Sequence, residues 1–203
     1  MAAAATANGK LGRQIISLKG VSADAGIRAE SDLKKLADLK PVVTPTGSVT
    51  AGNATFLTDG AAALLLMSET KARELGMRPR GEILDYAFTG HDLNEQLLLG
   101  PAFGIPQILK KLGIEMGGVG AFELHEAYAA QILAVLKILG GKLPLEKLNL
   151  YGGSIAIGNP FAPNCARLVT TVLDRLEDEK AKFGLVSTCA GGALGLTLVV
   201  ART

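Results

Sequence analysis

One cysteine in a glycine-rich turn is the first candidate for chemistry. Cys189 begins the sequence Cys-Ala-Gly-Gly, which we expect to join two strands. A thiol at strand ends with backbone N–H groups nearby can have a lowered pKa. The same N–H groups, that of Gly191 among them, could stabilise an oxyanion. A buried, inert cysteine is the alternative interpretation.

Two further side chains could move or hold a proton. His125 precedes Glu126 where a predicted strand runs into a predicted helix. A lone histidine at such a junction is often only a structural hydrogen-bonding residue. Asn159 lies between Gly158 and Pro160, and its amide can donate a hydrogen bond but cannot act as a base at neutral pH. His91 is interpreted as a loop residue.

Composition excludes several classes of function. The 203 residues carry a formal net charge of +2, which lacks the basic footprint of a nucleic-acid-binding protein. Hydrophobic residues make up 48%, enough for a real core. Two cysteines provide neither a disulfide scaffold nor a four-ligand zinc site, so we predict no metal. No apolar run reaches the roughly 18–20 residues of a membrane span.

The elements that position these residues follow from hydrophobic periodicity and glycine stops. The patterns predict helices at 31–39, 69–75, 101–112, 126–139 and 166–176. They predict strands at 59–68, 82–88, 119–124, 150–157, 183–188 and 194–200. Strands that alternate with helices in this way are typical of a layered α/β domain with a parallel or mixed sheet.

The chain divides into three segments on composition. Residues 1–23 are basic, alanine-rich and free of acidic residues, so they are interpreted as a solvated N-terminal arm or a segment like an organelle transit peptide. Residues 24–52 form a connecting segment with a turn cluster. Residues 53–203 are predicted to be the main domain.

Four segments, in this order, resemble the C-terminal half of a thiolase. They are NATFLTDGAAA (53–63), HEAYA (125–129), GGSIAIGNP (152–160) and CAGGALG (189–195). The resemblance extends over about residues 24–203. Histidine at position 125, where many thiolases have asparagine, is most similar to a mitochondrial member of the family.

The resemblance implies a fold and a reaction. Thiolases catalyse reversible Claisen chemistry on acyl-CoA thioesters, with two layered halves. The implied fold class is α/β, a thiolase-like half-fold with a mixed five-stranded sheet and helices on both faces. In the family the nucleophilic cysteine and the CoA-binding loop domain lie mostly in the N-terminal half. Residues 1–50 resemble neither the nucleophile region nor the CoA-binding loop domain.

The resemblance also implies site roles. Cys189 fits the second cysteine, a general acid/base at the substrate α-carbon. His125 fits the residue that orients a water or substrate oxygen, and Gly191 fits a backbone oxyanion donor. Asn159 replaces the family histidine that activates the nucleophile and donates to the thioester oxygen. Residues 162–165, which follow this turn, also differ from the family pattern.

Three hypotheses about function remain. The first is a degenerate, non-catalytic structural subunit of a larger mitochondrial assembly. The second is one half of a split acetyl-CoA C-acyltransferase, with the nucleophile on a partner chain. The third is a CoA or acyl-carrier binding module. We predict no cofactor, and a coenzyme A thioester is a substrate only under the second hypothesis.

A protein partner is expected in each case. The helix predicted at 166–176 has apolar residues pointing in several directions, which is typical of a helix covered on both sides. Its cover could be the other thiolase half, a second copy or a larger complex. The sequence predicts no nucleic-acid partner and no transmembrane segment, and the resemblance implies a mitochondrial location.

Overall fold

The computed structural model describes residues 1–94 and 96–203. The helices are α1 (Ala2–Ala7), α2 (Leu33–Ala37), α3 (Glu69–Glu74), α4 (Gly100–Leu112), α5 (Ala129–Ile138), α6 (Ser154–Ile157) and α7 (Asn164–Asp178). The strands are β1 (Gly81–Gly90), β2 (Val119–Leu124), β3 (Phe183–Ala190) and β4 (Leu194–Arg202). Helix α4 begins with Pro101 in its first turn and ends at Gly113, whose φ of 64° is accessible to glycine at little cost.

The four strands form one mixed sheet in the order β1-β4-β3-β2. Strand β4 runs antiparallel to both β1 and β3, whereas β2 and β3 are parallel. In the parallel pair Leu124 is opposite Ser187, so both strands end at the same edge of the sheet. The mixed sheet confirms the predicted fold class, although the residues that the structure describes form four strands rather than five.

Helices cover both faces of this sheet. Alternate residues of the strands point to opposite faces, as the pleat requires. Phe122, Leu185 and Val199 pack in one core with residues of α4 and α5. Ala121, Val186 and Leu198 pack in a second core with α7. The chain therefore has the layered helix–sheet–helix arrangement that the sequence predicted.

The predicted strand at 150–157 is wrong. After a single parallel bridge between Phe122 and Leu148, the chain turns and then forms the short helix α6. Gly152, at φ 101°, and Gly153 precede this helix. Glycine backbones permit a turn that a continuous strand does not contain.

The predicted buried strand at 59–68 is also wrong. This segment pairs with no strand among the described residues, and Ala61 through Leu66 are all exposed. The side chains of Leu65 and Leu66 are 74% and 68% exposed. An apolar run of this length therefore lies at the surface of the structure.

The interpretation of residues 1–23 as a solvated arm is only partly right, because some of these residues are buried. Ala5 and Leu11 are buried and pack against Tyr151 and Ile157 in a small third core. Arg13 adds two hydrogen bonds to the Asp178 carboxylate at 2.9 Å. The division at residues 23 and 52 stays a prediction.

Helix α7 is less exposed than predicted. Gln14 donates to Asp174 at 2.8 Å and accepts from Thr171 at 2.9 Å, and Arg80 forms an ion pair with Asp174. These contacts cover one side of the helix from within the chain. We expected an exposed apolar surface on α7 that a partner would cover, but the exposed apolar residues lie at 59–68.

No helix within residues 1–94 and 96–203 has the length and apolar character to cross a bilayer.

Candidate active site

The candidate histidine and cysteine lie at the same edge of the sheet. His125 immediately follows β2, and its backbone N–H donates to the Ser187 carbonyl of β3 at 2.9 Å. Cys189 is two residues further along β3, opposite Gly195 of β4. In open α/β sheets, ligands bind outside the carboxyl ends of parallel strands. The topology thus places both residues where a ligand site is expected.

The motif at residues 53–63 joins the loop of His125 to the loop of Asn159. The backbone N–H of Thr55 donates to Ala127 at 2.9 Å, and that of Asn159 donates to Phe56 at 2.8 Å. The Thr55 hydroxyl donates to the Ser154 carbonyl at 2.7 Å. The two loops, about thirty residues apart in sequence, are therefore held together by the motif at 53–63.

His125 is buried and neutral. The residue is 5% exposed, and its Nδ1 lies 2.8 Å from the Ser154 Oγ. Burial lowers its pKa to about 4, and the positive charge of Arg167 adds to the effect. At neutral pH the ring therefore carries one proton and can both donate and accept a hydrogen bond.

The Asn159 side chain has a defined orientation. Its Oδ1 accepts from the backbone N–H of Phe161 at 3.2 Å and from the Asn164 amide. A backbone N–H can only donate, so the acceptor is the oxygen and the amide nitrogen faces the other way. That nitrogen makes no hydrogen bond to the described residues. Its two N–H groups are donors that a substrate oxygen could use.

Cys189 is a buried thiol with a raised pKa. The residue is 8% exposed, and burial raises its pKa to about 11. The expectation of a lowered pKa is therefore wrong, because desolvation outweighs the effect of nearby backbone N–H groups. Gly191 is exposed in the hairpin that follows, consistent with an open backbone position. The catalytic roles of Cys189, His125, Asn159 and Gly191 stay predictions.

Three residues near the site were not recognisable as functional candidates from the sequence. Ser154 contacts His125, Arg167 donates to the Ser154 Oγ at 3.1 Å, and Glu126 accepts from the Ile155 backbone N–H at 3.2 Å. Ser154 and Glu126 lie inside the quoted motifs, which was the available signal. Nothing in the pattern of α7 distinguished Arg167. Across residues 1–94 and 96–203, no three potential metal ligands cluster.

This layered fold and its sheet-edge site place the chain in a known family. Residues 77–202 match the family model "Thiolase, C-terminal domain", and residues 1–70 match "Thiolase, N-terminal domain". The chain belongs to the thiolase family.

Similar proteins agree with this assignment. The human mitochondrial trifunctional enzyme subunit beta is 41% identical over 196 residues, covering 89% of this chain and 41% of that protein. A 3-ketoacyl-CoA thiolase of Salmonella typhi is 42% identical over 221 residues, covering 98% and 51%. The chain thus spans about half the length of these relatives.

Solved structures show the same fold. Human mitochondrial 3-ketoacyl-CoA thiolase in complex with CoA superposes with a TM-score of 0.93 at 31% identity, covering 98% of this chain and 51% of that one. The Bacillus anthracis acetyl-CoA acetyltransferase gives a TM-score of 0.92 at 36% identity, covering 100% and 52%.

These findings correct the first hypothesis about function. A degenerate, non-catalytic structural subunit is contradicted, because similar proteins are named as thiolases and both domain models match nearly the whole chain. The split-enzyme hypothesis fits better. The mitochondrial location stays a prediction, since relatives at similar identity are mitochondrial and bacterial.

Proposed function

We propose that this chain forms part of the active site of an acetyl-CoA C-acyltransferase that acts on 3-ketoacyl-CoA, and that a partner chain carries the nucleophilic cysteine. The orientation of the Asn159 amide carries the proposal. Its oxygen is held by Phe161 and Asn164, so its N–H groups remain available. Donors fixed in this way stabilise the oxygen of a thioester that becomes negative during attack.

The two cysteines of the chain support a nucleophile from elsewhere. The thiolate is the reactive form, and burial raises the pKa of both Cys165 and Cys189. Neither is therefore poised to attack the β-carbonyl carbon of the substrate at neutral pH. Asn159 cannot take a proton from a nucleophile, so the base must also be another group.

The raised pKa of Cys189 suits a proton donor. During cleavage, the sulfur of the partner's nucleophilic cysteine bonds to the β-carbonyl carbon, the bond between the α- and β-carbons breaks, and its electron pair stays on the α-carbon of the departing acetyl-CoA. The acyl group stays on that cysteine as a thioester until the thiolate of the incoming CoA displaces it. The protonated thiol of Cys189 gives its proton to the α-carbon and becomes a thiolate. A later proton, taken from the incoming CoA thiol, restores it. His125 would hold a water or a substrate oxygen beside this reaction.

The exposed segment 59–68 supports the proposal of a partner chain. Its backbone is outside the sheet, and Leu65 and Leu66 are largely exposed. It belongs to the region that matches the thiolase N-terminal domain. We infer that the partner carries more of such a domain and that the segment pairs with an edge strand of its sheet.

Thiolysis of acetoacetyl-CoA tests the proposed activity. The isolated chain is expected to be inactive, and a one-to-one complex with a chain that carries a thiolase nucleophile is expected to be active. In the complex, Cys189→Ala should reduce kcat by about a hundredfold or more. Cys165→Ala is the matched control and should leave kcat unchanged. Asn159→His should raise kcat because it restores a base.

Two results would contradict the proposal. One is robust turnover by the isolated chain that is lost on Cys189→Ala, since the partner would then be unnecessary. The other is an active complex that neither Cys189→Ala nor Asn159→His affects.

Copurification tests the docking segment separately. Substituting Gln for both Leu65 and Leu66 should reduce recovery of the partner. Leu33→Gln is the control, because this leucine is 81% exposed on α2. Equal loss of the partner with the control, or no loss with either variant, would show that the segment is not the interface.

A further inference from the structure

We propose that Ser154 and Arg167 are positioning residues that fix the neutral His125 ring with its proton on Nε2. The three side chains form a chain of hydrogen bonds from α7 through the start of α6 to the end of β2. Neither Ser154 nor Arg167 needs to touch a substrate. The catalytic consequence rests on the proposed function, whereas the ring tautomer does not.

The number of protons that each group can donate fixes the direction of these hydrogen bonds. A guanidinium has only donors, so Arg167 Nη2 must donate to Ser154 Oγ at 3.1 Å. The serine hydroxyl has one proton of its own to place. The His125 Nδ1, 2.8 Å away, is the acceptor that the structure provides for it. The hydroxyl therefore donates to Nδ1.

The reverse tautomer leaves a buried group unsatisfied. With a proton on Nδ1, both the ring and Arg167 would donate to the same serine oxygen. The serine proton would then have no acceptor among the described residues, although Ser154 is fully buried. A buried polar group without a partner costs about 1–3 kcal/mol. This cost favours the tautomer with Nδ1 unprotonated.

The rest of the Arg167 guanidinium strengthens this interpretation. Its Nε and Nη1 are buried and have no hydrogen-bond partner among the described residues. Among the described residues, Ser154 is thus the hydrogen-bond partner of the Arg167 guanidinium. The positive charge near the ring also disfavours a second proton on it.

The consequence is an N–H donor at the site. Nδ1 is occupied by Ser154, and Nε2 makes no hydrogen bond to the described residues. The Nε2–H group is therefore available to a water or to a substrate oxygen. Together with the Asn159 amide, the chain would supply two side-chain donors of the kind that stabilise a developing oxyanion.

Nitrogen NMR of the complete chain reads the tautomer directly. The chain has two histidines, so His91 is an internal reference in the same spectrum. Long-range proton–nitrogen correlations at neutral pH should show His125 with a protonated Nε2 and an unprotonated Nδ1. A protonated Nδ1, or an even mixture of the two tautomers, would overturn the proposal in the unmodified protein.

Variants identify the cause. Ser154→Ala should shift the Nδ1 resonance and mix the tautomers, and Arg167→Leu should produce a smaller mixing. Ser154→Thr keeps the hydroxyl and should preserve the tautomer. Thr197→Val removes a buried hydroxyl that bonds to Ser187, so it is the matched control and should leave His125 unchanged. An unaltered His125 signal in folded Ser154→Ala would show that serine does not set the tautomer.

Kinetics of the active complex add a second readout. Ser154→Ala should lower kcat on the order of tenfold with little change in KM, less than the roughly hundredfold loss of a direct oxyanion donor. A rise in KM on the order of tenfold, with kcat unchanged, would contradict a positioning role. If no complex is active, the proposed function fails while the NMR result still decides the tautomer.

Discussion

The two regions that match different thiolase domain models differ in their secondary structure and in how much of their apolar surface is buried. Residues 77–203 contain all four strands of the described sheet and both large cores. Within the first 70 residues, α1 and α2 have six and five residues, and the small third core supplies most of the burial. Both regions contain long apolar runs.

The difference shows that apolar composition alone does not produce burial. Val119–Leu124 of β2 is almost completely buried because helices cover both faces of its sheet. The run at 61–66 is equally apolar but lies exposed, because no neighbouring strand among the described residues pairs with it. A strand needs a sheet before its side chains can be buried.

Two arginines should give the largest contrast between the regions. Arg175 is fully buried and bonds Glu123 at 2.8 Å, so Arg175→Leu leaves a buried carboxylate unpaired. We expect a loss of about 3–5 kcal/mol in the free energy of unfolding. Arg13→Gln breaks a surface pair and should cost at most about 1 kcal/mol.

Urea denaturation of each variant measures this contrast. Replacing both Arg175 and Glu123 with leucine should recover most of the loss, because such buried pairs contribute little net stability. Similar losses for Arg13→Gln and Arg175→Leu would remove the distinction between the two regions.

Two leucines give a matched test of packing. Leu168 on α7 is fully buried, and Leu168→Ala should lower the free energy of unfolding by about 2–5 kcal/mol. Leu66 is 68% exposed, and Leu66→Ala should change it by less than about 0.5 kcal/mol. Thermal or urea unfolding of the isolated chain is the measurement. A large loss at Leu66 would mean that segment 59–68 is packed in the isolated chain.

The pH dependence of stability should distinguish the buried site from the surface. Burial lowers the pKa of His125 from 6.5 to about 4, so between these values the unfolded chain binds more protons. The contribution of neutral His125 to the free energy of unfolding is therefore complete above pH 6.5 and is lost as the pH falls to 4. The loss is about 3 kcal/mol at most, from about 1.4 kcal/mol per pKa unit.

The unfolding free energies of the unmodified chain and of His125→Asn, measured over the same pH range, isolate the contribution of His125. Glu123 acts in the opposite direction, because burial raises its pKa from 4.5 to about 7 and its contribution falls as pH rises through that range. Both proteins contain Glu123, so the difference between their unfolding free energies should shrink by up to about 3 kcal/mol from pH 7 to pH 4. A difference that stays constant over that range would contradict a buried neutral His125.

Much of the C-terminal fold could be predicted from the sequence. Strand β2 matches its predicted bounds, and α4 begins one residue before its predicted start. These elements have a clear hydrophobic period and glycine stops, which are local properties of the chain. The motifs also located Cys189, His125 and Asn159, and the family followed from four motifs in order.

The partners of those residues could not be predicted. The contact between Ser154 and His125 joins residues 29 apart, and the Asn159 orientation depends on how α7 begins. Hydrogen bonds of this kind are set by the meeting of separate loops, which no local pattern encodes. The approach of Arg167 to Ser154 was missed for the same reason.

The sequence by itself determined the residue types at the site, the elements with strong periodicity and the family. Only the tertiary structure decided which apolar runs are buried and what each titratable group experiences. Cys189 shows why: its glycine-rich turn suggested a reactive thiol, but burial raises its pKa to about 11. Desolvation depends on atoms from every element packed around a group, and those atoms come together only when the chain has folded.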